Sequence, residues 1–387
     1  MHLINQQFSV TYEFSVCFTR DAFAPENMAL HDLISAAGDT VHKVQPVIDS
    51  QVLADHPELI DAIALYGDIH GDTIAFEEPF IVRGGEICKN DPAEVEEFLR
   101  LTQERKICRH SFVLVIGGVS VIDAMGYAAA IAHRGIRLIR MPTTVLGQND
   151  AGVGVKNAIN FRNRKNYVGT FAPPYAVLND FDFLSSLAPR DQRAGIAEAV
   201  KVSLIRDSEF FSWLENHCQE LARFEDKAVE HMIIRCAELH VRHIGTGGDP
   251  FERGSARPLD FGHWSAHRLE EISHAQSFDN ELPHSELRHG EAVAIGIALD
   301  SHYSCQMGFI DEQTLTRIIN TLHGIGFSLY HPALEQLNIA QALAGFREHL
   351  GGALCITMLT GAGSAKEVSE IDEAVMEECV QRLRGYK

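Results

Sequence analysis

Apolar and polar positions change their rhythm about half-way along the chain. From about Gln45 to Asp180, short apolar runs alternate with stretches of helical spacing. Phe112-Val113-Leu114-Val115-Ile116 is an unbroken apolar run closed by Gly117-Gly118, the signature of a strand buried on both faces. Asp123 to Arg134 reads as a helix with an alanine-rich face, and Gly135 to Pro142 as the next strand. Strand, helix, strand in this order predicts a parallel sheet with helices on its faces. Ser9 to Thr19 offers a further strand. Beyond Leu187 the spacing becomes helical over 196–206, 226–243, 265–273, 292–306 and 311–325, with few β-branched alternations. The stretch 245–258, rich in Gly, Pro and charge, reads as a loop. The pattern therefore predicts an α/β domain over 1–186, with a parallel sheet, and a mostly α-helical domain over 187–387.

Composition narrows the class. The 387 residues exceed one ordinary core, and 45% hydrophobic with 22% charged residues is globular. No apolar run reaches the roughly 18 residues of a membrane span, and Met1-His2-Leu3-Ile4-Asn5 lacks the basic start of a secretory signal. Eight cysteines without C-x-x-C pairs suit free thiols in a reducing cytoplasm. A formal charge of −20 argues against a nucleic-acid surface, but not against an anionic small substrate, because a few clustered cations reverse the field inside a pocket.

Three constellations carry candidate chemistry. Gly117-Gly118 lies between a strand and a helix, where backbone N–H groups can meet a pyrophosphate; a plain tight turn is the alternative. Asp49 after Val47-Ile48, Glu86 and Lys89 before a helix, and Thr143-Thr144 after a strand stand where nucleotide contacts or simple caps occur. Asn149 to Lys156, continuing to Lys165-Asn166, reads as a close-folding loop whose lysines and amides suit phosphate or sugar hydroxyls. The strongest is distributed: Glu198 and Lys201 share a helix face, His263 and His267 share another, and His289 opens a third helix. One carboxylate and two imidazoles make a site for Zn²⁺ or a similar ion with open positions for substrate oxygens.

In this order, these segments resemble the 3-dehydroquinate synthase family, the sugar phosphate cyclases. The resemblance runs through Asp123 to Arg134, Pro142-Thr143-Thr144, Asp150 to Lys156, Lys165-Asn166, Glu198-Ala199-Val200-Lys201, Phe261-Gly262-His263 and His289-Gly290-Glu291. It implies that Glu198, His263 and His289 bind the metal, Zn²⁺ or Co²⁺. It implies NAD contacts at Asp49, Glu86, Lys89, Gly117, Gly118, Asp123, Thr143, Thr144 and Lys165. Lys201, His267, Asn166 and Arg134 would hold the substrate phosphate, Arg134 reaching from the second subunit of a homodimer. Asp150 and Lys156 would lie beside the nicotinamide and the substrate hydroxyls, and Asp260 at the substrate. The implied reaction oxidises a sugar carbon transiently, eliminates phosphate, returns the hydride and closes a carbocycle by an aldol step, with no net redox change.

The chain departs from the dehydroquinate-forming members where they grip a substrate carboxylate. Their lysine position is His240, their arginine position is Ala256 with Arg257 next, and an asparagine position is Asp260. Val119 stands where a third glycine is usual, Trp264 is bulkier than the usual residue, and Arg347-Glu348-His349 replaces adjacent lysines. A neutral His and a displaced Arg grip a carboxylate less well than a fixed bidentate pair. The expected substrate is therefore a sugar phosphate without a carboxylate, sedoheptulose 7-phosphate, giving a 2-epi-5-epi-valiolone type product. The alternatives are a genuine 3-dehydroquinate synthase, a metal-dependent polyol dehydrogenase and a non-catalytic descendant of the fold.

Overall fold

The computed structural model describes residues 1–162, 164–254, 257–278 and 286–386. The chain divides into two units, Met1–Thr143 with Val155–Asp182, and Thr144–Gly154 with Phe183–Lys387.

The first unit is built on a seven-stranded parallel sheet in the order β1 (Ser15–Thr19), β9 (Ala176–Asp180), β6 (Arg137–Pro142), β5 (Phe112–Gly117), β2 (His42–Asp49), β3 (Ile74–Phe76), with β4 (Phe80–Val82) also pairing with β2. Every residue of β5 is buried, as a central strand with helices on both faces requires. Val47, Val113 and Val115 share one core with Val121, Ile122, Met125 and Phe98. The helix after β5 runs Val119–Ile131, so it starts a turn before the predicted Asp123, and 132–134 tighten into a 3₁₀ turn. Val119 is accommodated as its first residue. Of the predicted strand over 9–19 only Ser15–Thr19 pairs, since its register with β9 begins at Ser15 opposite Ala176.

The loop expected through Lys165-Asn166 is instead an antiparallel hairpin, β7 (Lys156–Phe161) and β8 (Arg164–Phe171). Its anchor is Arg140 of β6, fully buried, which donates to the Lys156 carbonyl at 3.0 Å and to Asn157 Oδ1 at 2.8 Å. A side chain at Gly126 would meet Asn157 Oδ1 at 2.1 Å, so the hairpin approaches the helix only because that residue is glycine.

The second unit is mostly helical: Pro189–Arg206, Ser208–Asn216, Asp226–Thr246, His263–Phe278, His289–Gln306, Glu312–Ile325, Ile339–His349 and Glu373–Leu383 are its longer helices. Each of the five predicted helices is present with shifted ends, and a hairpin, β10 (Ile356–Gly361) and β11 (Ser364–Val368), is added where none was expected. The helices Pro189–Arg206 and His289–Gln306 are buried on nearly all sides over 194–205 and 292–304, the pattern of central core helices. They meet backbone to backbone: a Cβ on Gly290 would fall 1.7 Å from the Ala194 carbonyl oxygen. Their first turns are joined by Arg190, whose Nε and Nη2 each lie 2.7 Å from the Glu291 carboxylate. Among the described residues no helix is long and apolar enough to cross a membrane.

Candidate metal and cyclase site

Three segments of the second unit deliver the chemistry. Pro189 at the first helical position starts the helix that carries Glu198 and Lys201 one turn apart on one face. Gly262, at φ +78°, turns the chain into the helix that begins at His263. Glu291 reaches back to the Arg288 N–H at 2.9 Å and so defines the start of the helix whose first residue is His289.

Glu198, His263 and His289 converge, with one donor atom of each within 4.8 Å of the others. His263 Nε2 lies 3.6 Å and His289 Nε2 3.3 Å from the same Glu198 oxygen. Both rings are turned by their other nitrogen: His263 Nδ1 donates to the Phe261 carbonyl at 3.1 Å, and His289 Nδ1 stands 3.3 Å from Glu270. That is how metal-ligating histidines are usually held. Glu198 is wholly buried, and both its oxygens face nitrogens at ion-pair range without hydrogen-bond geometry. Oε2 faces the Lys201 ammonium, while Oε1, shared by both Nε2 atoms, fits a cation held between the three side chains. The donor set, one carboxylate and two imidazole Nε2, suits Zn²⁺ or Co²⁺.

Around this triad the charges are paired. Lys201, 3% exposed, contacts Glu198 and stands 3.7 Å from Asp150 Oδ1. Burial alone would depress its pKa, but Glu198 and Asp150 hold it above the usual lysine range. Burial would raise Asp150 as well; Lys201 and then His240 outweigh it and hold the carboxyl well below the ordinary value. Asp150 reaches this position because 144–154 packs on the Glu198 helix: Asn149 donates to the Gly195 carbonyl at 2.8 Å, and a Cβ on Gly195 would strike Leu146 N at 2.5 Å. His289 is depressed by burial but raised more by Glu270 and Glu198, up to about 10. Metal binding there displaces that proton. His267, an exposed residue, packs edge-on to His263 with ring centres 5.4 Å apart. The protein around it and the two neighbouring imidazoles hold it below the usual imidazole value. Asp260, in the 3₁₀ turn 258–260, lies close enough to raise Lys201 and His263.

The residues at or beside the positions where dehydroquinate-forming members grip a carboxylate are engaged elsewhere. His240 Nδ1 is 2.9 Å from Asp150 Oδ1. Arg257 donates to the carbonyls of Glu252 at 3.0 Å and Gly254 at 2.9 Å, with its Nε 3.2 Å from the Glu252 carboxylate. Ala256 lies outside the described residues. Arg347 sits in the Ile339–His349 helix and lines a small groove with Glu370 and Glu373.

The first unit gathers a second set. Lys89, nearly buried, donates to Asp123 at 2.8 Å and to Asn166, while Asn160 ties Glu86 to Asn90 at 2.8 Å each. Gly117 ends β5 beside Asp49, where a Cβ would come within 3.1 Å of Asp49 Cβ, and Gly118 precedes the Val119 helix with no side-chain cap. That open helix start fits a pyrophosphate. Asp49 caps its own following helix through Gln51 N at 2.8 Å; Thr144, which belongs to the second unit, caps the Val145–Asn149 helix through Gly147 N at 3.0 Å. Thr143 is buried, its N–H on the Gly117 carbonyl at 3.0 Å. Lys156, Lys165 and Arg134 are exposed, Arg134 at φ +63°.

Two contributors escaped the sequence reading. Glu270, one turn beyond His267, was legible as the third member of a 263, 267, 270 face. Trp264 had no assignable role; it is buried and donates its indole N–H to Asp300 at 2.8 Å.

Residues 79–194 match the 3-dehydroquinate synthase N-terminal domain and residues 195–349 the C-terminal domain. The chain belongs to the 3-dehydroquinate synthase family. It is 30% identical to the 3-dehydroquinate synthase of Shewanella sp. (strain MR-4), over 84% of this chain and 85% of that protein. It is 33% identical to the 2-epi-5-epi-valiolone synthase of Streptomyces glaucescens, over 74% and 71%. Among solved structures of the family, ValA, the 2-epi-5-epi-valiolone synthase of Streptomyces hygroscopicus subsp. jinggangensis 5008 with NAD⁺ and Zn²⁺ bound, superposes with a TM-score of 0.84 at 28% identity, covering 99% of both chains. A 2-deoxy-scyllo-inosose synthase with NAD⁺ and Co²⁺ shares the fold at a TM-score of 0.75 and 21% identity, over 95% of this chain and 96% of that one. A probable glycerol dehydrogenase from Sinorhizobium meliloti 1021 also shares the fold, at 0.58 and 16%, over 96% of each.

Proposed function

We propose that this family member is a metal- and NAD-dependent lyase that cyclises a seven-carbon sugar phosphate lacking a carboxylate, sedoheptulose 7-phosphate, to a 2-epi-5-epi-valiolone type product. The observation that carries the reading is the commitment of His240 to Asp150 and of Arg257 to Glu252. A histidine and an arginine already engaged by partly buried acids offer no fixed fork to a substrate carboxylate. Each lost charge-assisted hydrogen bond is worth about 1.5–3 kcal/mol, so two together disfavour the carboxylated sugar by roughly 10²–10⁴-fold. The likeness to a named 2-epi-5-epi-valiolone synthase and to ValA supports the same reading, and the equal likeness to 3-dehydroquinate synthases makes it a matter for measurement.

Glu198, His263 and His289 would hold the metal, which when bound polarises neighbouring sugar oxygens and lowers the cost of an alkoxide. The first unit, through Asp49 and the Gly117-Gly118 turn, would hold NAD, which supplies a hydride acceptor recovered in each turnover. Lys201 stays protonated across the working pH range, so it serves as a fixed positive charge and hydrogen-bond donor rather than a base. Asp150, held ionised beside Lys201 and His240, accepts a hydrogen bond from a substrate hydroxyl and orients it. His267, beside His263 at the edge of the triad, would donate a hydrogen bond to a phosphate oxygen. We assign Arg134, exposed in the first unit, to the phosphate bound by the second subunit of a homodimer.

The test compares kcat/KM for sedoheptulose 7-phosphate and for the carboxylated seven-carbon substrate, following phosphate release and NADH absorbance together, with the Arg257→Ala protein alongside. Phosphate release from sedoheptulose 7-phosphate without NADH is expected. A preference for the carboxylated sugar that disappears in Arg257→Ala would restore the dehydroquinate reading, and NADH rising in step with product would show a dehydrogenase.

A further inference from the structure

The two histidines of the metal triad sit on different helices, yet one carboxylate holds the chain on both sides of the first. Asp300 Oδ2 accepts from the Gly262 N–H at 3.0 Å and Oδ1 from the Trp264 indole at 2.8 Å. Gly262 and Trp264 flank His263. Asp300 lies on the His289 helix, and residues 289, 293, 296 and 300 share one face of it. That face meets the Gly262 turn at backbone distance. A Cβ on Gly296 would stand 2.0 Å from the Gly262 oxygen, and one on Gly262 would stand 2.8 Å from the Ile297 nitrogen. Asp300 is fully buried, Trp264 is 2% exposed, and the Asp300 carboxylate takes one of these N–H groups on each oxygen. A carboxylate in such a place is costly unless its hydrogen bonds are made, so its geometry is tightly defined.

We propose that Trp264 and Asp300 are positioning residues for the metal site: their indole–carboxylate bond fixes the height and rotation of His263 relative to His289, and so sets the affinity for the ion. The inference rests on the reading of Glu198, His263 and His289 as a divalent-metal site. Without the indole bond, the Gly262 N–H alone ties this turn to the His289 helix, and the His263 ring is free to tilt away from the Glu198 oxygen it faces at 3.6 Å. Outer contacts of this kind typically alter metal affinity by about 10–100-fold.

The experiment uses the full chain and Co²⁺, titrated against a chelator while the visible d–d bands are recorded, in the wild type, Trp264→Phe, Asp300→Asn and the double variant. Phenylalanine keeps an aromatic ring in the cavity and removes the donor. Trp264→Phe is expected to bind Co²⁺ about 10–100-fold more weakly with shifted d–d bands, and the double variant to lose little more than either single one. A purely structural residue would lower the thermal midpoint but leave the affinity and bands of the folded protein unchanged, and that result overturns the proposal. Should the variants not fold, the exchange rate of the Trp264 indole N–H in the unmutated chain decides by NMR. It is expected to slow on adding Zn²⁺, and an unchanged rate overturns the proposal. Failure of the wild type itself to take up Co²⁺ would instead remove the metal site on which the inference stands.

Discussion

Replacing Lys201 with methionine isolates the charge pairing at the centre of the site. The side chain keeps its length, but Glu198 and Asp150 lose the buried cation between them. At about 4 Å and an effective dielectric near 20, one such pair carries roughly 4 kcal/mol of Coulomb energy. Moving each ion out of water costs several kcal/mol, so the intact cluster contributes little net stability. Breaking it is different, because both carboxylates then remain buried without their cation. The expected loss is about 3–5 kcal/mol. Both tryptophans of the chain, Trp213 and Trp264, belong to the second unit, so urea unfolding followed by their fluorescence, in chelator, reads that unit alone. The midpoint should fall with an unchanged slope. The pH dependence has a defined sign. Lys201 is raised, so its contribution is complete below the ordinary lysine pKa, near 10.4, and is lost as pH rises through the elevated value. Asp150 and Glu198 are depressed, so theirs is present above about pH 5 and is lost as pH falls through the depressed values. The gap between wild type and Lys201→Met should therefore be flat from about pH 5 to 9 and close in acid. A gap below about 1 kcal/mol at pH 7, the size of an exposed pair, would refute the argument by showing that the carboxylates carry protons or water instead.

Glu270→Gln keeps the size of the group on His289 Nδ1 but weakens its hold; Zn²⁺ affinity measured by chelator competition should fall about 10–100-fold with little change in the metal-free thermal midpoint. Gly290→Ala forces a methyl into the Ala194 backbone and pushes apart the helices bearing Glu198 and His289. Its calorimetric midpoint should drop by the equivalent of about 1–3 kcal/mol, and an unshifted midpoint would mean the two helices slide freely.

What the sequence disclosed follows from where each signal is physically stored. A buried parallel strand such as Phe112–Gly117 announces itself because both faces are apolar. The core helices Pro189–Arg206 and His289–Gln306 were recognised late at their N-terminal ends, because helices buried all round have no polar stripe to set the period. The hairpin over 156–171 stayed hidden for the opposite reason. It alternates weakly, and its positive φ values fall on Arg162 and Asn166 rather than on a glycine that would mark the turn. The strand expected over 9–19 is shorter in the structure, since pairing with β9 is what makes a segment a strand, and that register starts at Ser15.

The site shows the same division. Spacing along one helix puts Glu198 with Lys201 and His263 with His267 and Glu270, but the meeting of those faces depends on Gly262 and Gly296, whose value is an absence of side chain. Spacing also says nothing of which acid each basic side chain has already taken, and the proposed substrate rests on that. Glu198, Asp150, Asp260 and Glu270 set four carboxylates around one lysine and a raised histidine. A divalent cation in the triad would offset most of that excess. A further carboxylate brought by a substrate would need a cation of its own, and His240 and Arg257, the two residues placed in sequence to provide it, already answer to Asp150 and Glu252. On the proposed function, the acidity that suits this pocket to a metal is thus the same property that would turn it away from a carboxylated sugar.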